Sequence, residues 1–307
     1  MCGVVNLRMK YNSLGATNLR ISEISLGCMS LPTQESENIS IVHRAIDLGI
    51  NFFDTADIYQ HGTNETLLGK ALKGKRNKVV LASKVGNVNR ADGSGLDWNP
   101  SKKHILESID GSLQRLQTDY LDLYQLHGGT IQDNIDETIE AFELLKKQGK
   151  IRHYGTSSIR PNVIREYVKR SSIVSVMMQY SLLDRRPEEE CLELLHRNDI
   201  SVLARGSLAQ GLLVNKPAKP YLGLTAEDVE NAAAAIKYVS ANKRSAAQTA
   251  IRYVLRHPAI TSAVIGVRNA SQLEEAVKAS DTPILTLNDL DLVKNSIPVI
   301  TYKEHRT

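Results

Sequence analysis

Asp54, Tyr59, Lys84 and His127 supply a carboxylate, a phenol, an amine and an imidazole, the parts of a proton-relay site. They stand in the segments INFFDTADIY (50–59), VVLASKV (79–85) and DYLDLYQLH (119–127), apolar runs with ionisable groups at their ends. A free phenol has a pKa near ~10 and is a poor proton donor at neutral pH. An ammonium beside it favours the phenolate, and a carboxylate keeps that ammonium charged and oriented. A histidine can donate a hydrogen bond to an oxygen on which charge develops. Together such groups polarise a carbonyl and protonate it as a hydride arrives. Each residue also has a plainer role on its own. Asp54 could cap a turn, Lys84 could be a solvent charge, Tyr59 could pack, and His127, before Gly128 and Gly129, could be an ordinary loop histidine. Their joint placement at corresponding strand ends favours chemistry.

For these groups to meet, the strands bearing them must converge. Candidate strands lie at 24–29, 51–56, 79–85, 120–127, 151–158, 174–180, 200–208 and 262–267. Amphipathic helical segments alternate with them at 37–49, 64–73, 101–116, 134–148, 161–170, 187–197 and 271–279. Gly49 and Gly149 mark helix ends, and Pro100 and Pro161 mark helix starts. Alternation with short connections implies parallel pairing through helical crossovers. No G-x-G-x-x-G follows the first strand, and no change of composition marks a second domain. The pattern therefore predicts an α/β fold, a (β/α)8 TIM barrel forming one domain over residues 1–307, whose strand ends share one mouth. Residues 1–23 would hold a hairpin closing the bottom, 225–256 two helices broken near 242–245 as extra helices towards the C-terminus, and 297–307 a tail. Residues 215–223, with Pro217, Pro220 and Gly223, suggest a mobile loop.

Bulk properties narrow the function classes. Hydrophobic residues make up 42% and charged residues 23%, as in soluble globular proteins. A net charge of +4, with no Lys/Arg run longer than two, leaves no footprint for nucleic acid. No apolar stretch approaches a membrane span, and MCGVVNLRMK has no signal-peptide core. Cys2, Cys28 and Cys191 are odd in number and scattered, which argues against a disulfide framework or zinc site and for a reducing, cytoplasmic setting. No metal site is expected.

The stretches FFDTADIYQHGTNETLLGKAL, ASKVG, DLYQLHGG, GTSSIRPNVI, MMQYSLLD and VIGVRNASQLEEA, in that order, resemble the aldo-keto reductases from about residue 10 into the 280s. That resemblance implies a β/α barrel that reduces carbonyls with NADPH through an Asp, Tyr, Lys, His tetrad. The tetrad falls on Asp54, Tyr59, Lys84 and His127, with Tyr59 as general acid. It implies a cofactor lying across the barrel mouth, in agreement with the missing dinucleotide fingerprint. The matching positions are Gly27, Cys28 and Met29, then Ser157 and Ser158, Gln179, and Arg205, Gly206, Ser207, Leu208, Gln210 and Gly211. Gly266, Arg268, Gln272 and Glu275 complete the set where the last strand opens a helix, a natural phosphate site. Arg268 there suits an adenosine 2′-phosphate, which selects NADPH.

Three positions depart from the family's habit. Ser158 stands where asparagine is frequent, Ala276 where asparagine contacts adenine, and Arg205 where an aromatic stacks on the nicotinamide. Arginine can stack through its planar guanidinium but adds charge. On the substrate side, Tyr59, His127 and Trp98 are expected to line an open pocket for small carbonyls, formed with short loops poor in bulky aromatics. The principal alternative is an NADPH-binding regulatory subunit with little turnover. A sugar or phosphate-ester isomerase on the same barrel is a further one.

Overall fold

In the computed structural model, residues 8–306 are described. The role of the first residues, including Cys2, lies outside that span. The chain opens with an antiparallel hairpin, β1 (Tyr11–Ser13) and β2 (Arg20–Ser22). Eight parallel strands then close into a barrel. The first three are β3 (Ile24–Gly27), β4 (Phe52–Asp54) and β5 (Val80–Val85), followed by helices α1 (Glu35–Asp47), α2 (Thr63–Leu72) and, after an insertion, α3 (Lys102–Leu116). The insertion is a second hairpin, β6 (Asn87–Asn89) and β7 (Leu96–Trp98). Next come β8 (Leu121–Leu126) with α4 (Ile135–Lys147), and β9 (Ile151–Ser157) with α5 (Pro161–Arg170). Strand β10 (Ser175–Gln179) is followed by α6 (Cys191–Arg197), and β11 (Ser201–Arg205) by α7 (Ala226–Ser240) and α8 (Ala246–Leu255). The last barrel strand is β12 (Ile260–Gly266), which pairs with β3, and helices α9 (Ala270–Lys278) and α10 (Leu287–Asn295) end the fold.

Side chains alternate across a strand with period two, and here that period sorts chemistry by depth. Phe52, Val80, Ala82, Leu123, Met177, Leu203 and Val264 form the cluster inside the barrel. Two residues further along the same strands, towards the mouth, the same face carries Asp54, Lys84, Gln125, Gln179, Arg205 and Gly266. The intervening residues, such as Phe53, Leu81, Tyr124 and Tyr154, pack outward under the helices. Apolar floor and polar rim thus belong to a single register. From below, Leu14 and Ile21 of the first hairpin join the inner cluster, both fully buried, and stopper the barrel.

Local signals set the boundaries. Ser101, Asn134, Thr225, Ser245, Asn269 and Thr286 each cap a helix by accepting a backbone N–H. Pro161 is the first residue of α5, whereas Pro100 lies one residue before the cap of α3. The expected break between α7 and α8 falls at residues 241–245, and the Ser245–Gln248 capping box restarts the helix. Three expectations needed revision. The strand expected at 200–208 stops at Arg205 because Gly206 turns left-handed (φ 75°). The helix expected at 187–197 divides at Glu190 into a short turn and α6. The expected loop carrying Trp98 is the β6–β7 hairpin.

Candidate active site

Asp54 ends β4, Lys84 is the penultimate residue of β5, and His127 follows β8 directly. The inward face of three neighbouring strands therefore delivers them to one spot. Tyr59 arrives differently, on the turn after β4. Its backbone N–H closes on Ala56, and Gln60, His61 and Gly62 then adopt left-handed conformations in succession (φ 51°, 52° and 85°). Two consecutive non-glycine residues there are held against a cost of order 1 kcal/mol each. The Arg115 side chain fixes the end of the turn, passing so close to Gly62 that a Cβ would meet its Cδ at 3.0 Å.

Lys84 Nζ is fully buried and donates to Asp54 Oδ2 at 2.6 Å, to the Thr55 carbonyl at 2.6 Å and to the Tyr59 hydroxyl at 3.4 Å. Burial works against its charge, but Asp54 and Tyr59 outweigh that effect and hold the ammonium above the ordinary lysine range. The second Asp54 oxygen accepts from Gln125 Nε2 at 3.1 Å. Gln125 carries no motif of its own, yet it shares the inward register of Leu123 and His127. The His127 ring stands edge-on to Tyr59, with centroids 5.8 Å apart. Burial, reinforced by Lys84 and Arg205, pushes its pKa down to about 3, so the imidazole is neutral in any working buffer. A neutral ring at this place offers a hydrogen bond without competing as an acid. Its Nδ1 is buried without a partner.

The remaining rim residues are distributed around the mouth. Gly27 and Gly266 face each other at the ends of β3 and β12. The Cys28 side chain is fully buried, so only its backbone borders the mouth, while Met29 is exposed. Ser157 ends β9, and buried Ser158 accepts the Arg160 N–H. Gln179 and Arg205 meet at the ends of β10 and β11, where Arg205 donates to Gln179 Oε1 at 3.1 Å. Gln179 Nε2 donates to Asp184 at 2.9 Å and to the Tyr221 hydroxyl at 3.0 Å, drawing in the segment expected to be a mobile loop. Gly206, Ser207, Leu208, Gln210 and Gly211 form the following turn, in which the Ser207 hydroxyl is buried and unpartnered. The Lys216 stem lies over Gly211, a cation at the rim that no motif signalled. Arg268 is exposed beside the start of α9, its backbone N–H held by Gln272. Glu275 lies a turn further along, part-buried, with its carbonyl bonded to Gln248. The exposed guanidiniums and the unsatisfied Ser207 donor suit a phosphate-bearing ligand spread across the mouth.

One titrating group near the tetrad was not anticipated. Asp57 precedes Tyr59 by two residues, and its Oδ1 is buried with no partner. Burial, with the Glu65 carboxylate adding, raises its pKa from 3.8 to about 7. Between those values the folded chain keeps a proton that the unfolded chain has released, so this group's contribution to stability declines as pH rises. Asp57→Asn removes the decline. The variant's thermal midpoint, measured by circular dichroism, should exceed the parent's at pH 8 by ~2 °C or more and show no gain at pH 4. Equal shifts at both pH values would refute the assignment.

Comparison with known proteins decides the family. Residues 23–296 match the Aldo/keto reductase family model. This chain is an aldo-keto reductase. Over 97% of its length and 100% of the relative's, it is 47% identical to the uncharacterized oxidoreductase YqkF of Bacillus subtilis. It is 32% identical to the aldo-keto reductase YhdN of the same organism, over 87% of each chain. Among solved structures, the holo form of the aldo-keto reductase AKR11C1 from Bacillus halodurans matches 98% of this chain and 100% of its own, with a TM-score of 0.92 and 45% identity. The apo form of that protein matches with a TM-score of 0.85. Membership makes this reductase an oxidoreductase of carbonyl chemistry dependent on a nicotinamide cofactor. None of its described helices is long and apolar enough to cross a membrane.

Proposed function

We propose that this reductase converts small aldehydes and ketones to alcohols with NADPH, using Tyr59 as general acid. The observation that carries the reading is the buried Lys84 ammonium, bonded at once to Asp54 and to the Tyr59 hydroxyl. The bound cofactor supplies the hydride to the carbonyl carbon. The chain's own groups manage the oxygen. His127 and Tyr59 orient it by hydrogen bonds, and Lys84 stabilises the negative charge left on Tyr59 as the phenol proton passes to the oxygen. Solvent at the mouth restores that proton. Asp54 keeps Lys84 charged and aimed, and Gln125 steadies Asp54.

For the cofactor, Gly27, Cys28, Met29, Ser157, Ser158 and Gln179 would bracket the nicotinamide end. Gly206, Ser207, Leu208, Gln210 and Gly211 would follow the pyrophosphate, and Gly266, Arg268, Gln272 and Glu275 the adenosine. Arg205 would lie against the cofactor through its flat guanidinium, near the nicotinamide half or the pyrophosphate. The decisive assay mixes pure protein with NADPH and a panel of aldehydes and follows the absorbance of the reduced ring. No turnover on any carbonyl would overturn the function. Arg268→Ala should raise the dissociation constant for NADPH ~10-fold or more and leave that for NADH nearly unchanged. Arg205→Ala should weaken both cofactors. Unaltered binding, read by cofactor fluorescence, would remove either arginine from its place.

A further inference from the structure

Trp98 is the only tryptophan in the chain. The hairpin that carries it is fastened to the catalytic strand ends. Asn87 Nδ2 donates to the His127 carbonyl at 2.7 Å, and the Asn99 N–H donates to the Gly86 carbonyl at 2.7 Å. The indole lies directly on the backbone beside these anchors. A Cβ added to Gly86 or Gly128 would come within 2.8 or 3.0 Å of its six-membered ring. Gly86 is two residues past Lys84, and Gly128 adjoins His127, so the indole borders the place where the carbonyl would be reduced.

The orientation of the ring is fixed from the other side. Its N–H donates to both oxygens of Asp133, at 3.0 and 3.1 Å. The same carboxylate accepts the Thr130 N–H and the Thr130 hydroxyl, each at 2.7 Å. Thr130 and Asp133 belong to the loop that follows His127. One carboxylate therefore ties the β6–β7 hairpin to the loop after β8. The torsion that turns an indole about its stem has broad wells, so intrinsic torsional preference does not fix the ring. A charge-assisted bond on its single donor removes that freedom. Leu96 and Ile131, on the two elements so joined, are 45% and 41% exposed.

We propose that Asp133 is a specificity-determining positioning residue, holding the Trp98 indole as a fixed wall of the substrate pocket beside His127. This rests on the reading of the mouth as a carbonyl-reducing site. The wall limits the group attached to the carbonyl, and its release alters which substrates fit before it alters the proton transfer.

Because Trp98 is unique, its emission reports this one side chain. With the full-length protein and NADPH, Asp133→Ala should shift the emission and make it more readily quenched by acrylamide. It should also change the ratio of kcat/KM for 4-nitrobenzaldehyde over propanal by ~10-fold, with the change falling on KM rather than kcat. Trp98→Phe keeps an aromatic ring and removes the donor, so it should move the same ratio in the same direction. Asp133→Asn, which retains one acceptor, should lie between. Unchanged emission and quenching in Asp133→Ala would show that the carboxylate does not hold the ring. A loosened ring with an unchanged ratio would show that Trp98 is not the wall. Should no carbonyl be turned over by the parent protein, the reductase reading itself fails, and the emission still decides the latch.

Discussion

Tyr59→Phe is expected to lower kcat for carbonyl reduction by ~10²–10⁴-fold, the range for loss of a positioned acid. The substitution removes one oxygen and little else. The ring would keep its edge-on contact with His127 and its place 5.0 Å from the Lys84 ammonium. The hydroxyl contributes a single long bond, 3.4 Å from Lys84, which still has Asp54 and the Thr55 carbonyl. Stability should therefore change little, and the NADPH dissociation constant should stay near the parent's. His127 does not substitute as acid, because its neutral ring binds a proton only near pH 3. If Tyr59→Phe kept a tenth of parental turnover, the acid's role would pass to another group.

Lys84→Met should affect both activity and folding. The methionine preserves most of the stem but leaves Asp54, buried at 4% exposure, with only Gln125 as partner. Breaking a buried ion pair on one side costs about 3–5 kcal/mol. The sign of its pH dependence follows from the carboxylate left behind. Burial already pushes the Asp54 carboxyl up, and Lys84 is the main influence opposing it. Without Lys84 the folded protein would retain a proton on Asp54 that the unfolded chain gives up near ~3.9. Stability would then fall as pH rises towards the folded value. Urea midpoints should show a larger loss at pH 8 than at pH 5, and adding Asp54→Asn should recover part of it. A loss independent of pH would mean that Asp54 does not depend on Lys84 for its charge.

Much of this arrangement could be read from residue order, for a definite physical reason. Strands of period two and helices of period 3.6 leave strong marks, and strand-end residues inherit their position from the strand. Asp54, Lys84 and His127 are legible in this way. Tyr59 is harder, since its place depends on three left-handed residues, two of which, Gln60 and His61, give no sign of that conformation. Asp57 and Asp133 could not be recognised at all. Their roles arise from the fold around them, burial with Glu65 nearby for one and Trp98 for the other. The β6–β7 hairpin escaped notice because its strands are three residues long and bury little. Trp98 is legible as a residue near the pocket, but what holds its ring is a bond between that hairpin and the loop after β8.

The stopper formed by Leu14 and Ile21 also has a consequence in time. Those side chains lie against Phe52, Val80, Leu123, Met177, Leu203 and Val264, so their seat is assembled from nearly the whole length of the chain. Strand β3 likewise closes the ring only with Ala263–Gly266. During synthesis, Leu14, Ile21 and the β12-facing edge of β3 must wait until residues beyond 260 have left the ribosome. Contacts so distant in sequence form late. The side chains of Leu14 and Ile21 are thus made well before the strand that completes their seat, and stay open to aggregation in the interval.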